Sequence, residues 1–398
     1  MRRRKRKLNK RGKLLFAFLF CIILIIIGIK FISFDKVEEK KLIKKEISND
    51  VKVIKDKDSK LSLVMVGDNL IHDKIYREAR REDGYDFKGM YKFIKDKIKD
   101  YDLAYYNQET ILGGSDIGVS SYPAFNSPYE VGDAMIDAGF NLVSLATNHT
   151  LDRGEKAILN SRDYWNKQSN VLAVGSYSSW DERNRVQIRE VNGIKYTLLN
   201  YTYGTNGISV PNGKEYLVNV WSVSSDSEYE EYKEQVKKDI EAVRDKVDLL
   251  MVAMHWGVEY QYSPNDYQRD MAKYLESLGV DIIIGTHPHV IEPVAWINDT
   301  LVIYSLGNFM SAHEVVDMGN RIGLMSSVDV VKRDGKINIE NVKNELLYTY
   351  YTSDYKDFSI IPFSMMKEEY LSNYRDVYLK YKKIVQEMDS DMEVVSIN

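Results

Sequence analysis

The stretch Ile282-Ile283-Ile284-Gly285-Thr286-His287-Pro288-His289 decides how the rest of the chain is read. A strand-type apolar run ends in a Gly-containing turn, and two histidines follow in i, i+2 spacing. In extended backbone such side chains leave on the same face, and Pro288 keeps the segment from turning helical. Two imidazoles on one rim, at the C-terminal end of a buried strand, are placed to hold a metal ion. A polar surface loop is the alternative. Only six histidines occur in 398 residues, and two are here.

The same pattern recurs on either side. Apolar runs at 61–66, 102–106, 142–146, 248–254 and 301–305 read as strands. They end respectively at Gly67-Asp68-Asn69, Asn107-Gln108-Glu109, Thr147-Asn148-His149, His255-Trp256-Gly257 and Leu306-Gly307-Asn308. Apolar spacing predicts helices over 86–100, 128–138 (closed by Gly139), 157–168, 228–245 and 265–278 (closed by Gly279). Strand, polar tip and helix in repetition mean an α/β domain with parallel connections. Asn192-Gly193 marks a hairpin, and 205–226 a long loop near the tips. From residue 322, strands turning at Asp334-Gly335 and an amphipathic helix within 363–388 complete the domain.

In open α/β sheets the functional crevice lies beyond the carboxyl ends of the strands, so these tips should converge. Asp68, Asn107, Glu109, Asn148, His149, His255, His287 and His289 mix carboxylate, amide and imidazole. Such a set suits Mn, Fe, Zn or Mg rather than a thiolate site. Two ions about 3.5–4 Å apart would share a bridging carboxylate and clamp both oxygens of a displacement. Singly, each residue has a structural reading: Asp68 as a turn residue, Glu109 as a surface acid, Asn148 as an Asx turn, His255 as a satisfied core edge.

The remaining composition sets the context. Net charge is −4, yet residues 1–13 carry nine Arg and Lys and no acid. No other block is as basic, which argues against nucleic acid as a partner. Residues 14–29 are uninterrupted apolar, and Lys30 can snorkel while Phe31 to Phe34 finish a crossing. The basic residues ahead hold the N-terminus in the cytoplasm, giving a single-pass anchor at 14–34 and an extracellular domain. A cleaved signal peptide is the alternative; the long apolar segment and the lack of a small-x-small site speak against it. Residues 35–60 read as a charged stalk, followed by a main domain over 61–312 that 313–398 completes. Cys21, the only cysteine, lies in the apolar segment, so the outer domain has no thiol for a disulfide, a metal or nucleophilic catalysis.

The blocks MVGDNLIH, YYNQET, LVSLATNHTLDRG, MVAMHWGVEY, IIIGTHPHVIEP and VIYSLGNF run in order from Leu61 to Phe309. Together they resemble the CapA family of capsule and poly-γ-glutamate synthesis, a branch of the calcineurin-like metallophosphoesterase fold. The resemblance implies a four-layer α/β/β/α sandwich with two divalent metal ions. It makes Asp68 the first ligand, Glu109 the bridging group, and Asn148 a further ligand beside His149 as acid or substrate-orienting partner. It assigns His255 and His287 to one metal and His289 to the other, and Asn308 to the pocket. Two departures stand out: Leu70 occupies the place of a ligand histidine, with His72 as ligand or pocket wall, and the bridging position is Glu or Asn rather than Asp. Arg153 is placed either to meet a phosphate or carboxylate or to form a salt bridge on its helix. Glu259, Tyr260 and Trp256 would shape the rim, Asp152 would orient a neighbouring loop, and His313 would be loop surface. The implied partners are an anionic cell-envelope polymer and polymer synthase subunits. The implied role is metal-dependent hydrolysis or transfer, or else a non-catalytic accessory function in a synthase complex.

Overall fold

The computed structural model describes residues 18–30, 58–221, 225–313 and 317–397. The chain divides into two units, 1–57 and 58–398. In the first, residues 18–30 are helical. Among the described residues no helix is long and apolar enough to cross a membrane. The flanks of the expected anchor, 14–17 and 31–34, and nearly all of the stalk lie outside the described residues.

The second unit is built on two mixed sheets. The first centres on β1 (Ser59–Asn69), followed in parallel by β2 (Leu103–Asn107), β3 (Leu142–Ser144) and β4 (Leu172–Val174). The second centres on β7 (Leu249–His255), flanked in parallel by β6 (Ile194–Thr202) and β8 (Ile282–Thr286), with β10 (Thr300–Ile303) beyond β8. Antiparallel strands finish the edges: β5 (Arg189–Val191) and β9 (Val294–Ile297) on the second sheet. On the first, β12 (Ile322–Arg333), β13 (Lys336–Tyr350) and β14 (Ser359–Pro362) continue from β1. The expected parallel connections thus form the centre of each sheet, and the expected hairpins at Asn192-Gly193 and Asp334-Gly335 supply antiparallel strands beside them.

The central strands are apolar on both faces, and side-chain alternation assigns each face. Leu61, Leu63 and Met65 join Leu249, Met251, Ala253, Ile282 and Ile284 in the core shared by both sheets. Val64 and Val66 point the other way, onto α2 (Glu130–Ala138) and α3 (Gly154–Asn166) through Val131, Met135 and Trp165. Leu250, Val252 and Ile283 pack on α4 (Asp226–Glu241) and α5 (Asp266–Ser277) through Val236, Ile240, Met271 and Leu275. Ahead of these helices, Asp73–Ala79 forms a shorter one, α1, after the first tip. Helices thus cover both outer faces of a two-sheet sandwich. The last helix, α6 (Tyr374–Val385), buries Tyr374, Val377, Tyr378, Tyr381 and Val385 in the shared core.

The helix expected over 86–100 is two pieces, a 3-10 turn at Lys88–Tyr91 and a short helix at Lys95–Lys99. Phe87, Met90, Tyr91, Ile94 and Ile98 are all buried as the spacing requires. Gly89, a poor helix former, sits in the first piece.

Candidate metal centre

Strand register lines the tips up. Asp68 of β1 is opposite Asn107 of β2 and also opposite Asn308 of β11 (Asn308–Met310), which runs parallel to β1. In the second sheet His255 is opposite Thr286. Gly67 makes the close approach of β1 to the 305–308 segment possible. A Cβ there would lie 1.8 Å from the Gly307 carbonyl oxygen. The His287 and His289 backbones have φ of 100° and 58°, in the left-handed region that costs an L-residue of order 1–3 kcal/mol. That turn is held in part by Asp68, whose Oδ2 accepts from the His287 N–H at 3.2 Å.

Polar partners orient most of the cluster. Asn107 Nδ2 donates to Asp68 Oδ1 at 2.8 Å, and Asn107 Oδ1 accepts from Ser144 Oγ at 2.5 Å. His255 places Nδ1 3.0 Å from Thr286 Oγ1 and Nε2 3.0 Å from Asn148 Oδ1. Asn148 Nδ2 donates to Asn206 Oδ1 at 3.2 Å, which fixes its oxygen toward His255. His289 Nδ1 donates to Asn308 Oδ1 at 3.1 Å, leaving the Nε2 lone pair directed at Glu109 Oε1, 3.7 Å away.

Glu109 is the exception. It is fully buried, and neither carboxylate oxygen has a hydrogen-bond partner. His255 Nε2 and His289 Nε2 stand at 3.8 and 3.7 Å, beyond hydrogen-bond range. Burial holds both imidazoles far below the usual histidine range, and His287 down to about 3, so none offers a charge. Burial, together with the neighbouring Asp68, pushes the Glu109 carboxyl well above its ordinary range. Burial also raises Asp68, against the opposing hydrogen bonds from Asn107 and His287. His287 Nδ1 is a further buried atom of the cluster without a partner. One ligand atom each from Glu109, His287 and His289 lies within 4.8 Å of the other two. An unpartnered carboxylate ringed by neutral imidazoles is costly as protein alone and fits a divalent cation.

Above the tips opens a cavity of about 810 Å³ that Asn148, His149 and His289 reach. His149 Nδ1 lies 2.7 Å from Asp152 Oδ2, and its ring stands edge-on to Phe125. Asp152 also accepts from the Phe125 N–H, so it orients a neighbouring loop and the histidine together. The i, i+3 spacing inside a turn was the available signal for that second role.

Of the other placements, some match expectation and some differ. His313 is no loop-surface residue; it lines the cavity, with its ring 5.0 Å from His289 and 4.9 Å from His72. His72 also lines the cavity, and its Nδ1 lies 3.1 Å from both the Ala312 N–H and the Leu70 carbonyl. Asn308 is fully buried behind the site, donating to the carbonyls of His289 and Asn320. Arg153 is committed to the carbonyls of Ile117 and Gly118 and to Ser120 Oγ, tying down a loop. Glu259 and Tyr260 do line the cavity, whereas Trp256 is a core residue bonded to the Tyr304 carbonyl.

Residues 62–313 match the family described as bacterial capsule synthesis protein PGA_cap, and this chain belongs to that family. It is 31% identical over 174 residues to the PGA biosynthesis protein CapA of Bacillus subtilis, covering 44% of this chain and 43% of that one. It is 26% identical over 257 residues to the capsule biosynthesis protein CapA of Bacillus anthracis, covering 63% and 60%. The matches thus span about half the length of these relatives. Among solved structures, a novel phosphatase from Mycoplasma pneumoniae superposes with a TM-score of 0.46 at 12% identity, over 73% of this chain and 95% of that one.

Proposed function

We propose that this protein is anchored in the cell membrane with its main domain outside, and that it acts with divalent metal on a linkage of an anionic cell-envelope polymer. The linkage is a phosphate ester or an amide, and the polymer is poly-γ-glutamate or a capsule. Family membership and the names of the relatives support the polymer. The apolar run at 14–29 and the nine basic residues ahead of it support the anchor. The order of the tips supports reading the sandwich as a metallophosphoesterase-type fold.

Glu109 carries the metal reading: it is buried, ionisable and unpartnered, within reach of two neutral imidazoles. Glu109, His287 and His289 would hold one metal, so that His287 and His289 share an ion rather than dividing between two as the resemblance implied, with Asp68, Asn148 and His255 extending the site toward a second ion. Bound metal would supply charge compensation for the carboxylates and Lewis acidity toward the substrate. Asp152 holds the His149 Nδ1 proton, so Nε2 is the atom that gives or takes a proton at the leaving group. Asn308 fixes the His289 tautomer and so acts through it.

Metal analysis of the purified full chain, together with polymer production by a His287→Ala strain, tests this. Bound divalent metal and lost polymer are expected. A metal-free protein whose His287→Ala variant still supports polymer would refute the catalytic reading. If deletion of the whole chain then abolished polymer, the role would be that of an accessory subunit.

A further inference from the structure

The walls of the cavity have a chemistry that the metal centre does not explain. At about 810 Å³ it falls within the ~300–1,000 Å³ of small-molecule sites. Among the described residues no Lys or Arg lines it. The nearest guanidinium that the sequence suggested, Arg153, is bound to loop carbonyls instead. Among the described residues the fixed charges on the walls are two carboxylates, Glu259 and Asp317. A run of anionic residues laid here would meet repulsion and find no counter-charge above the floor.

The walls offer flat apolar faces instead. Tyr122, Phe125, Tyr260 and Tyr262 all line the cavity. Tyr122 is 71% exposed and Tyr260 49%, so core packing does not account for either ring. Aromatic faces set among carboxylate and amide groups match a sugar, whose C–H faces lie on rings while its hydroxyls bond to planar polar groups. An aliphatic polyanion would use neither feature.

We propose that the cavity seats a saccharide ring beside the metal-held group, so that the substrate's reacting unit is glycosyl and carries a single anionic ester. This rests on the metal reading above and narrows it. A polyanionic part of the polymer would lie outside the cavity.

Titration calorimetry on the full chain, with and without Mn²⁺, tests this without requiring turnover. N-acetylglucosamine 1-phosphate should bind about tenfold or more tighter than glycerol 1-phosphate, which carries the same phosphate and no ring. Tyr122→Ala and Tyr260→Ala should erase the difference while Mn²⁺ uptake stays unchanged. Equal affinity for the two phosphates would overturn the proposal. So would a γ-linked glutamate trimer or putrescine binding as tightly as the sugar phosphate. Should the chain take up no Mn²⁺, the metal reading fails by itself. The ring preference is then read on the metal-free chain with N-acetylglucosamine against glycerol, where equal affinity again overturns it.

Discussion

Glu109 places opposite demands on the protein with and without metal. As a buried carboxylate lacking any donor, it costs the metal-free fold the desolvation of an unsatisfied group, about 1–3 kcal/mol or more. Glu109→Gln should therefore raise the melting temperature of metal-free protein and weaken metal uptake by about 10- to 100-fold or more. Thermal unfolding before and after Mn²⁺ addition checks both signs; a variant less stable in both states would contradict this account. Glu292 shows the same physics away from the site. Burial pushes its carboxyl up to about 8, with only Gln268 Nε2 donating to it. The folded state then binds the proton more tightly than the unfolded chain does. This contribution is intact below the unfolded carboxyl range and lost as pH rises to about 8. Glu292→Gln should stabilise the protein by about 1–3 kcal/mol at pH 8 and by little at pH 4, as read by urea unfolding at both values.

At the scale of elements, the site depends on β1 lying against the segment that leads into β11. Gly67 permits that contact, and a methyl group there would collide with backbone rather than with a movable side chain. Gly67→Ala should cost about 1–3 kcal/mol and reduce metal uptake together, because Asp68 moves with its strand. Urea denaturation and metal analysis measure the two effects, and normal uptake in the variant would show that Asp68 is not needed. The strand-tip arrangement was legible in the sequence because buried strands are continuous apolar runs and their ends change abruptly to polar groups. The hairpins at Asn192-Gly193 and Asp334-Gly335 were legible because φ is positive at all four residues, a conformation Asn, Asp and Gly tolerate. His313 was not legible: it belongs to no tip, and only the pairing of β11 with β1 brings it beside His289. Arg153 and Trp256 misled for a related reason. Neighbours of a site residue in sequence need not face the site, and both turn to backbone carbonyls.

For the molecule as a whole, the family match ends at residue 313, yet the core does not. β12 pairs with β1, and α6 buries five side chains in the core between the sheets. At roughly 1.5–3 kcal/mol for each buried large side chain, the helix alone contributes on the scale of the whole net stability of a domain, about 5–15 kcal/mol. A chain ending at Pro362 should therefore fail to give a cooperative melting transition. A sharp transition by circular dichroism would show that the remainder is an independent domain.

The cluster draws Asp68, Glu109 and Asn148 from the first sheet and His255, His287 and His289 from the second. Beyond this cluster the two sheets meet through side-chain packing, which has no direction, and through a few hydrogen bonds such as those that Asn200 of β6 accepts from the Leu145 and Ala146 N–H groups. An ion held by donors from both would act as a rivet through the sandwich, and the sheets could not slide apart until it was released. Metal would then set how long the folded molecule lasts as well as what it does, so a chelator would shorten its lifetime against proteases even where every packing contact is intact.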